Sequence, residues 1–504
     1  MRFLTKSGAF RTMDAASKGV KRVNEPIIGT AVLRRYPDVD EAVVDALLQR
    51  ELAASGRKLV VLDDDPTGVQ TVHDVSVYTD WSPESIRQGF AETNRLFYIL
   101  TNSRSFTAEQ TAAAHREIAR NVAEAAREAG TPYLLISRCD STLRGHYPLE
   151  TETLRRETEK AGGPVMDGEV LCPYFKEGGR FTIDNVHYVR YGGELVPAGD
   201  TEFARDATFG YRSSDLREYI EEKTAGAYPA DTVCCVTLGA LRRMDIDGVC
   251  EQLMAAHGFG KIVVNAVDDC DLKVFCVALY RAIARGKEFL FRSAAGLVKI
   301  LGGVSDRPLL TGPELLARET RNGGVVIVGS HTRKTTEQLD ALLALPDAVG
   351  VAFRSKLVLD GDGAFDAEIN RSVAEIEAAL RSGRTAVCYT NRTLLRVEGE
   401  SGEDALRRSV KISEGVCALV ERLRVTPAFV VAKGGITSSD VGVKALRVRR
   451  ADVLGQIRPG IPVWRLGPES KFPDIPYVIF PGNTGEADTL RRTVEILRSG
   501  MPGH

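Results

Sequence analysis

Short apolar runs that end in polar turns and lead into helical stretches recur along this chain. No other feature constrains its fold as much. Candidate strands lie at 59–62, 96–100, 133–137, 170–172, 233–238 and 262–265, with a second series at 325–328, 385–389, 428–432 and 477–480. Stretches such as 108–128 and 409–424 are rich in Ala, Glu and Arg, with apolar residues at helical spacing. The apolar runs are continuous rather than alternating, as expected of strands covered on both faces. Alternation of such strands with helices predicts α/β architecture built on parallel sheets with crossover helices.

The series pauses over 296–324, where Gly302-Gly303, Pro308, Pro313 and Gly323-Gly324 break any long period. A length of 504 residues exceeds one ordinary domain. The expected organisation is an N-terminal arm at 1–45, a first α/β domain at 46–300, a connection at 301–324 and a second α/β domain at 325–504. The stretch 177–208, rich in Gly, Tyr and Asp, is expected as an irregular insertion forming part of a cleft wall.

Composition excludes several classes of function. Hydrophobic residues at 43%, charged residues at 27% and a net charge of −2 describe an ordinary soluble globular protein. There is no basic block for nucleic acid or anionic membrane, and no apolar run approaches a membrane span. Residues 1–25 are mildly basic without an apolar segment, which argues against a secretory signal and for a mobile arm packing on the body or on a neighbouring subunit. None of the nine cysteines forms a C-x-x-C pair, and no two histidines flank a Glu at i, i+4, so neither a zinc ribbon nor zincin chemistry is expected. An odd number of thiols fits a reducing cytoplasm.

The chemistry is concentrated where predicted strands end. The run Val60-Val61-Leu62 stops in Asp63-Asp64-Asp65-Pro66-Thr67-Gly68. Adjacent carboxylates repel, so such a cluster calls for a cation or a proton to compensate it, although a solvated acidic turn is the plain alternative. Two further strands end in Thr101-Asn102-Ser103-Arg104-Ser105 and in Arg138-Cys139-Asp140-Ser141-Thr142-Leu143-Arg144-Gly145. Arginine binds carboxylates bidentately, and aspartate accepts from or deprotonates hydroxyls, so together these loops suit a small polyhydroxy acid. Asp140 and Arg144, four residues apart, are also explained as a pair on the first turn of a helix.

The C-terminal half offers glycine and hydroxyl loops instead. Val328-Gly329-Ser330-His331-Thr332-Arg333-Lys334-Thr335 departs from a Walker A loop, with Arg333 where that motif needs glycine, and predicts a looser helix start open to an anion. Lys433-Gly434-Gly435-Ile436-Thr437-Ser438 and Phe480-Pro481-Gly482-Asn483-Thr484-Gly485 follow the same logic. Each alone is explained as a tight turn. Three at strand ends in one half point to a nucleotide or phosphate ligand.

The D-D-x-T-G motif at Asp64–Gly68, the block Arg138–Gly145, the G-G-x-T-S loop at Gly434–Ser438 and the G-N-x-G loop at Gly482–Gly485 resemble those of the four-carbon acid sugar kinases. The resemblance runs from about residue 58 to 495. It implies an N-terminal domain that binds an acid sugar such as threonate or erythronate, a C-terminal domain that binds ATP, and an active site in the cleft between them. By position it implies substrate contacts from Asp65, Thr67, Arg104, Arg138, Cys139, Asp140 and Ser141, joined by Arg144 from the same block. It implies nucleotide contacts from Ser330, Gly434, Gly435, Ile436, Thr437, Gly482, Asn483 and Gly485. Asp64 or Asp65 is the expected base, Arg104, Arg138 and Arg144 are the expected anchors of the substrate acid, and Mg2+ is expected with ATP, its ligands unassigned. The chain departs from the family pattern in its extra acid, Asp63, in Arg138 where lysine is common, in Thr484 and in its longer arm. Two other readings are a metal-dependent hydrolase or lyase using Asp63–Asp65 and a non-catalytic sugar-acid sensor. Assembly as a homodimer is left open.

Overall fold

The structure, a computed structural model, describes residues 25–316, 320–392, 395, 397, 399–482 and 484–501. Its backbone is a sheet of 15 strands. The N-terminal half contributes Cys234–Val236, Gly260–Val264, Gly168–Cys172, Phe289–Ser293, Tyr133–Arg138, Lys58–Asp63, Leu96–Leu100 and Val75–Tyr78, in that spatial order and all parallel. The C-terminal half contributes Pro476–Phe480, Val430–Lys433, Val325–Val328, Thr385–Thr390 and Ala348–Phe353, again parallel.

Each central strand is apolar on both faces because helices cover both. Leu59 and Val61 of Lys58–Asp63 enter one core cluster, and Val60 and Leu62 enter another. Val325 and Ile327 separate from Val326 and Val328 in the same way. The long helix Ala108–Ala129 starts with a capping box between Thr107 and Gln110 and ends at Gly130 in the left-handed region, φ 61°.

The two parallel blocks are joined by an antiparallel hairpin, Arg450–Arg458 and Ile461–Leu466, which pairs with Val75–Tyr78 on one side and with Pro476–Phe480 on the other. Three successive antiparallel pairings make the blocks run in opposite directions. Twist then turns them back toward each other. At roughly 20–25° per neighbouring pair, the six steps from Lys58–Asp63 to Val430–Lys433 accumulate roughly 120–150°. Register shifts at Val453/Gly455 and Gln456/Arg458, with Gly455 at φ 127°, add coiling. The carboxyl ends of both blocks are thereby brought to a common region. Arg450 fastens the join, donating to Glu92 Oε1 at 3.0 Å and Ser76 Oγ at 2.8 Å.

Several expectations need correction. The stretch 177–208 is not irregular: Arg180–Ile183, Val186–Tyr191 and Glu194–Pro197 form an antiparallel sheet completed by Ile28–Gly29. Its turn residues were visible, since Asp184 and Asn185 both adopt positive φ as a tight hairpin requires. The run 233–238 is a strand only over Cys234–Val236, because Thr237 caps the helix Leu238–Arg242. The segment 296–324 carries the helices Ala295–Gly302 and Gly312–Leu315. Residues 1–24 of the expected arm lie outside the described residues. Among the described residues no helix is long and apolar enough to cross a membrane. All nine cysteines are unpaired thiols.

Candidate active site

Lys58–Asp63 lies between Leu96–Leu100 and Tyr133–Arg138, with Asp63 in register with both Leu100 and Arg138. Three of the polar loops singled out in the sequence are therefore neighbours. Asp63 turns inward beneath Gly68, where a Cβ would overlap its carboxylate. Asp65 caps the turn Pro66–Val69, its Oδ1 accepting from the Thr67 amide at 2.9 Å and the Thr67 hydroxyl at 2.6 Å.

Two guanidiniums compensate the three acids. Arg104 grips Asp64 bidentately, Nε to Oδ2 at 3.1 Å and Nη2 to Oδ1 at 2.8 Å, and reaches Asp65 Oδ2 at 3.4 Å. Arg138 donates to Asp63 Oδ1 at 3.2 Å and lies 3.5 Å from Asp64 Oδ1. Burial dominates the acid next to Arg138: despite that partner, enclosure and the neighbouring carboxylates push Asp63 up to about 7. Burial also raises Asp64 against the pull of Arg104 and Arg138.

The loop after Tyr133–Arg138 has the opposite balance. Asp140 is enclosed, yet Arg104, Arg144 and the Thr142 hydroxyl hold its carboxyl well below the usual range. Arg144 donates to it at 2.6 Å and lies 3.7 Å from Asp206, with its guanidinium 5.1 Å from the Phe203 ring centre. This i, i+4 pair sits in a turn; the helix begins only at Leu149. The small antiparallel sheet supports the loop through His187, whose Nε2 is 2.8 Å from the Ser141 carbonyl while Nδ1 is 3.0 Å from Thr182 Oγ1. Burial lowers that imidazole to about 4, so it is neutral and donates one hydrogen bond. Cys139 is buried with its thiol pushed up to about 12, which makes it a packing residue rather than a nucleophile.

A layer beneath this loop was not anticipated. Arg292, near the end of Phe289–Ser293, is ion-paired with Glu150 and donates to Ser137 Oγ at 3.1 Å, and Ser103 Oγ donates to Glu150 at 2.7 Å. Enclosure opposes ionisation of Glu150, but Arg292, His115 and Ser103 together outweigh it and hold the acid at about 2. Gly145, at φ 128°, has no Cβ, which would stand 2.8 Å from Arg292 Nη2. The only sequence signal was a charged residue inside an apolar strand.

In the C-terminal half the three predicted loops also converge. Ser330, Thr332 and Thr335 form a hydroxyl cluster, with Thr332 Oγ1 to Thr335 Oγ1 at 3.0 Å and Thr335 Oγ1 to Ser330 Oγ at 3.3 Å. A Cβ on Gly329 would collide with Thr437, and one on Gly434 (φ 119°) would stand 3.7 Å from Ser330 Cβ. Ile436 is exposed at the same turn, with 70% of its surface accessible. Gly482 is open, and Gly485 adopts φ 80°; Asn483 lies outside the described residues. Residues the sequence reading missed hold these loops together. Gln338 donates to the carbonyls of Thr484 and Glu486 at 3.0 and 2.8 Å, and Arg392 donates to the Ser330 carbonyl at 2.6 Å. Lys433 donates to the carbonyls of Pro481 and Gly482.

The two sets of loops meet at one point. A methyl group on Gly435 would stand 3.1 Å from Asp65 Oδ2, the oxygen that Thr67 does not engage and that Arg104 approaches at 3.4 Å. The arrangement can hold an anionic, hydroxyl-bearing ligand on one side and a phosphate-bearing ligand on the other. Asp63 and Asp64 are taken up by arginines, and among the described residues no group of three or more His, Cys, Asp or Glu side chains is placed to hold a metal ion. A recess of about 450 Å³ lined by Arg381, Arg424 and Pro476 lies at the opposite, amino-terminal ends of the C-terminal strands, away from this chemistry.

Residues 59–301 match a family model described as a sugar-binding N-terminal domain, and residues 325–490 match one described as a nucleotide-binding C-terminal domain. No curated protein matches the sequence. The fold is shared with a Haemophilus influenzae protein of the DUF1537 family, 18% identical, with 86% of this chain and 99% of that chain covered and a TM-score of 0.59. It is shared as well with a Salmonella typhimurium LT2 protein bearing a provisional tRNA synthase name, 15% identical, with 87% and 99% covered and a TM-score of 0.61.

Proposed function

The chain belongs to the four-carbon acid sugar kinase family, and we propose that it transfers the γ-phosphoryl group of ATP to a hydroxyl of a small sugar acid, a four-carbon aldonate such as threonate or erythronate. The observation that carries this reading is the meeting of Asp65 with Gly435, which puts a carboxylate oxygen, held only at 3.4 Å by Arg104, beside the backbone of a glycine loop from the other half.

Phosphoryl transfer asks mainly for positioning and charge neutralisation. In this reading Arg104 and Arg144, both part-exposed, receive the carboxylate of the sugar acid, and Thr67, Asp140 and Ser141 orient its hydroxyls. Arg138 is enclosed and spent on Asp63 and Asp64, so it sets the aspartates rather than touching substrate. Asp65 Oδ2 accepts the proton of the attacking hydroxyl as its oxygen bonds to the γ-phosphorus and the bond to ADP breaks. Asp64, with both oxygens held by Arg104, is the weaker candidate for base. Ser330, Gly434–Thr437 and Gly482–Gly485 cradle the phosphates. Mg2+ bound with the nucleotide would neutralise phosphate charge, and the hydroxyls of Ser330, Thr332, Thr335 and Thr437 with the Asp65 carboxylate supply the oxygen donors that ion prefers.

The test is ADP release in a coupled assay with Mg-ATP across C3–C6 aldonic acids. Sugar-acid-dependent release is the expected result. Tight acid binding without turnover would leave a sensor, and acid consumption without ATP would leave a hydrolase or lyase.

A further inference from the structure

Lys433 ends the strand Val430–Lys433 and directly precedes Gly434-Gly435. Its side chain is fully enclosed. Nζ lies 2.8 Å from the Pro481 carbonyl, 2.9 Å from the Gly482 carbonyl and 4.3 Å from the centre of the Phe480 ring. The residue thus ties the loop 481–485 to the loop 434–437. A neutral amine has two N–H groups, which these two carbonyls satisfy, and its lone pair remains for a third proton.

Among the described residues no carboxylate stands against this amine. Lys334, from the first turn of Arg333–Leu343, is the charged group that acts on it, and it is of like sign. Asp440, farther along the helical segment after Gly434, is engaged by Ser413 and Lys444. Asp65 faces Gly435, and His331 turns to Thr390. The flanking strands Pro476–Phe480 and Val325–Val328 bring no acid. Burial without a counter-charge lowers the lysine to about 7.

We propose that Lys433 takes up a proton when nucleotide phosphates enter the loops it joins, and so acts as a proton-coupled positioning residue for the nucleotide. This rests on the reading that these loops hold ATP. A polyanion beside the amine supplies a counter-charge, and the third proton adds to the lone pair.

The experiment is calorimetric titration of the full chain with Mg-ATP, without sugar acid, at about pH 8 in buffers of different ionisation enthalpy. The parent should take up close to one proton on binding. Its dissociation constant should rise by up to about tenfold per pH unit above 7. Lys433→Met and Lys433→Arg should bind without proton uptake. Binding by the parent with no proton linkage, or linkage unchanged in either folded variant, overturns the inference while leaving the nucleotide site standing. Failure of the folded parent to bind Mg-ATP overturns the nucleotide reading and this inference with it.

Discussion

Asp65 and Gly435 face each other across the join between the two halves of the chain, so close that a methyl group on the glycine would stand 3.1 Å from the Asp65 Oδ2 oxygen. A carboxylate at the end of an N-terminal strand and the backbone of a C-terminal loop therefore share one small space. If this is where a phosphoryl group passes, the two residues should respond to substitution differently.

Asp65→Asn should lower kcat by about 10²–10⁴-fold, the range of general-base catalysis. ATP affinity measured by calorimetry should stay within about twofold, because in the proposed reading the nucleotide is held by the other half. Loss of ATP binding together with turnover in a folded variant would remove the division of labour.

Gly435→Ala should weaken ATP binding and turnover while acid-sugar binding persists, since the added methyl crowds Asp65 rather than straining the backbone. Combined with Asp65→Ala, it should regain ATP affinity, because the atom it meets is gone. Equal ATP affinity in Gly435→Ala and the parent would reduce the loop to a structural turn.

The three arginines should separate into two kinds. Arg104→Met or Arg144→Met should raise the KM for the sugar acid about ten- to a hundredfold, the loss of one charge-assisted pair, with that for ATP little changed. Arg138→Met should instead destabilise the fold by about 3–5 kcal/mol in urea, because it strands the buried Asp63, whereas Asp64 keeps Arg104. A raised KM with normal stability in Arg138→Met would return that residue to the substrate.

Asp63 should leave a signature in the pH dependence of stability. Burial raises its carboxyl from 3.8 to about 7, so between those values the folded chain keeps a proton that the unfolded chain has lost. Stability should therefore fall as pH rises through that window and level off above it. Asp63→Asn lacks this component, so the parent should lose ground to the variant from about pH 4 to 7. A parent–variant difference that stays constant with pH would mean that Asp63 is ionised throughout.

Much of this protein was written locally. Continuous apolar runs announced strands covered on both faces, and the strands Leu96–Leu100 and Val325–Val328 fall where the runs do. The polar loops at Asp63, Arg104, Arg138, Ser330 and Gly434 were legible because a loop's chemistry is a matter of adjacent residues. Phe289–Ser293 and Ala348–Phe353 escaped because charge or glycine interrupts their runs. The hairpin Arg450–Arg458 with Ile461–Leu466 carries Arg, Gly and Pro within its strands and gave no clean period.

Only the tertiary structure decided which loops meet. The pairing of Val75 with Val453, the seating of Arg292 against Glu150 142 residues away, and the approach of Gly435 to Asp65 all join distant parts of the chain. A parallel strand buried on both faces has nothing in its side-chain pattern that names its neighbour, so sheet order cannot be read from it. Nor does a row of three aspartates say which are enclosed with arginines and which reaches the join. Twist and burial decide that, by bringing two opposed blocks of strands round to a common edge and enclosing Asp63 and Asp64 while leaving Asp65 at the join.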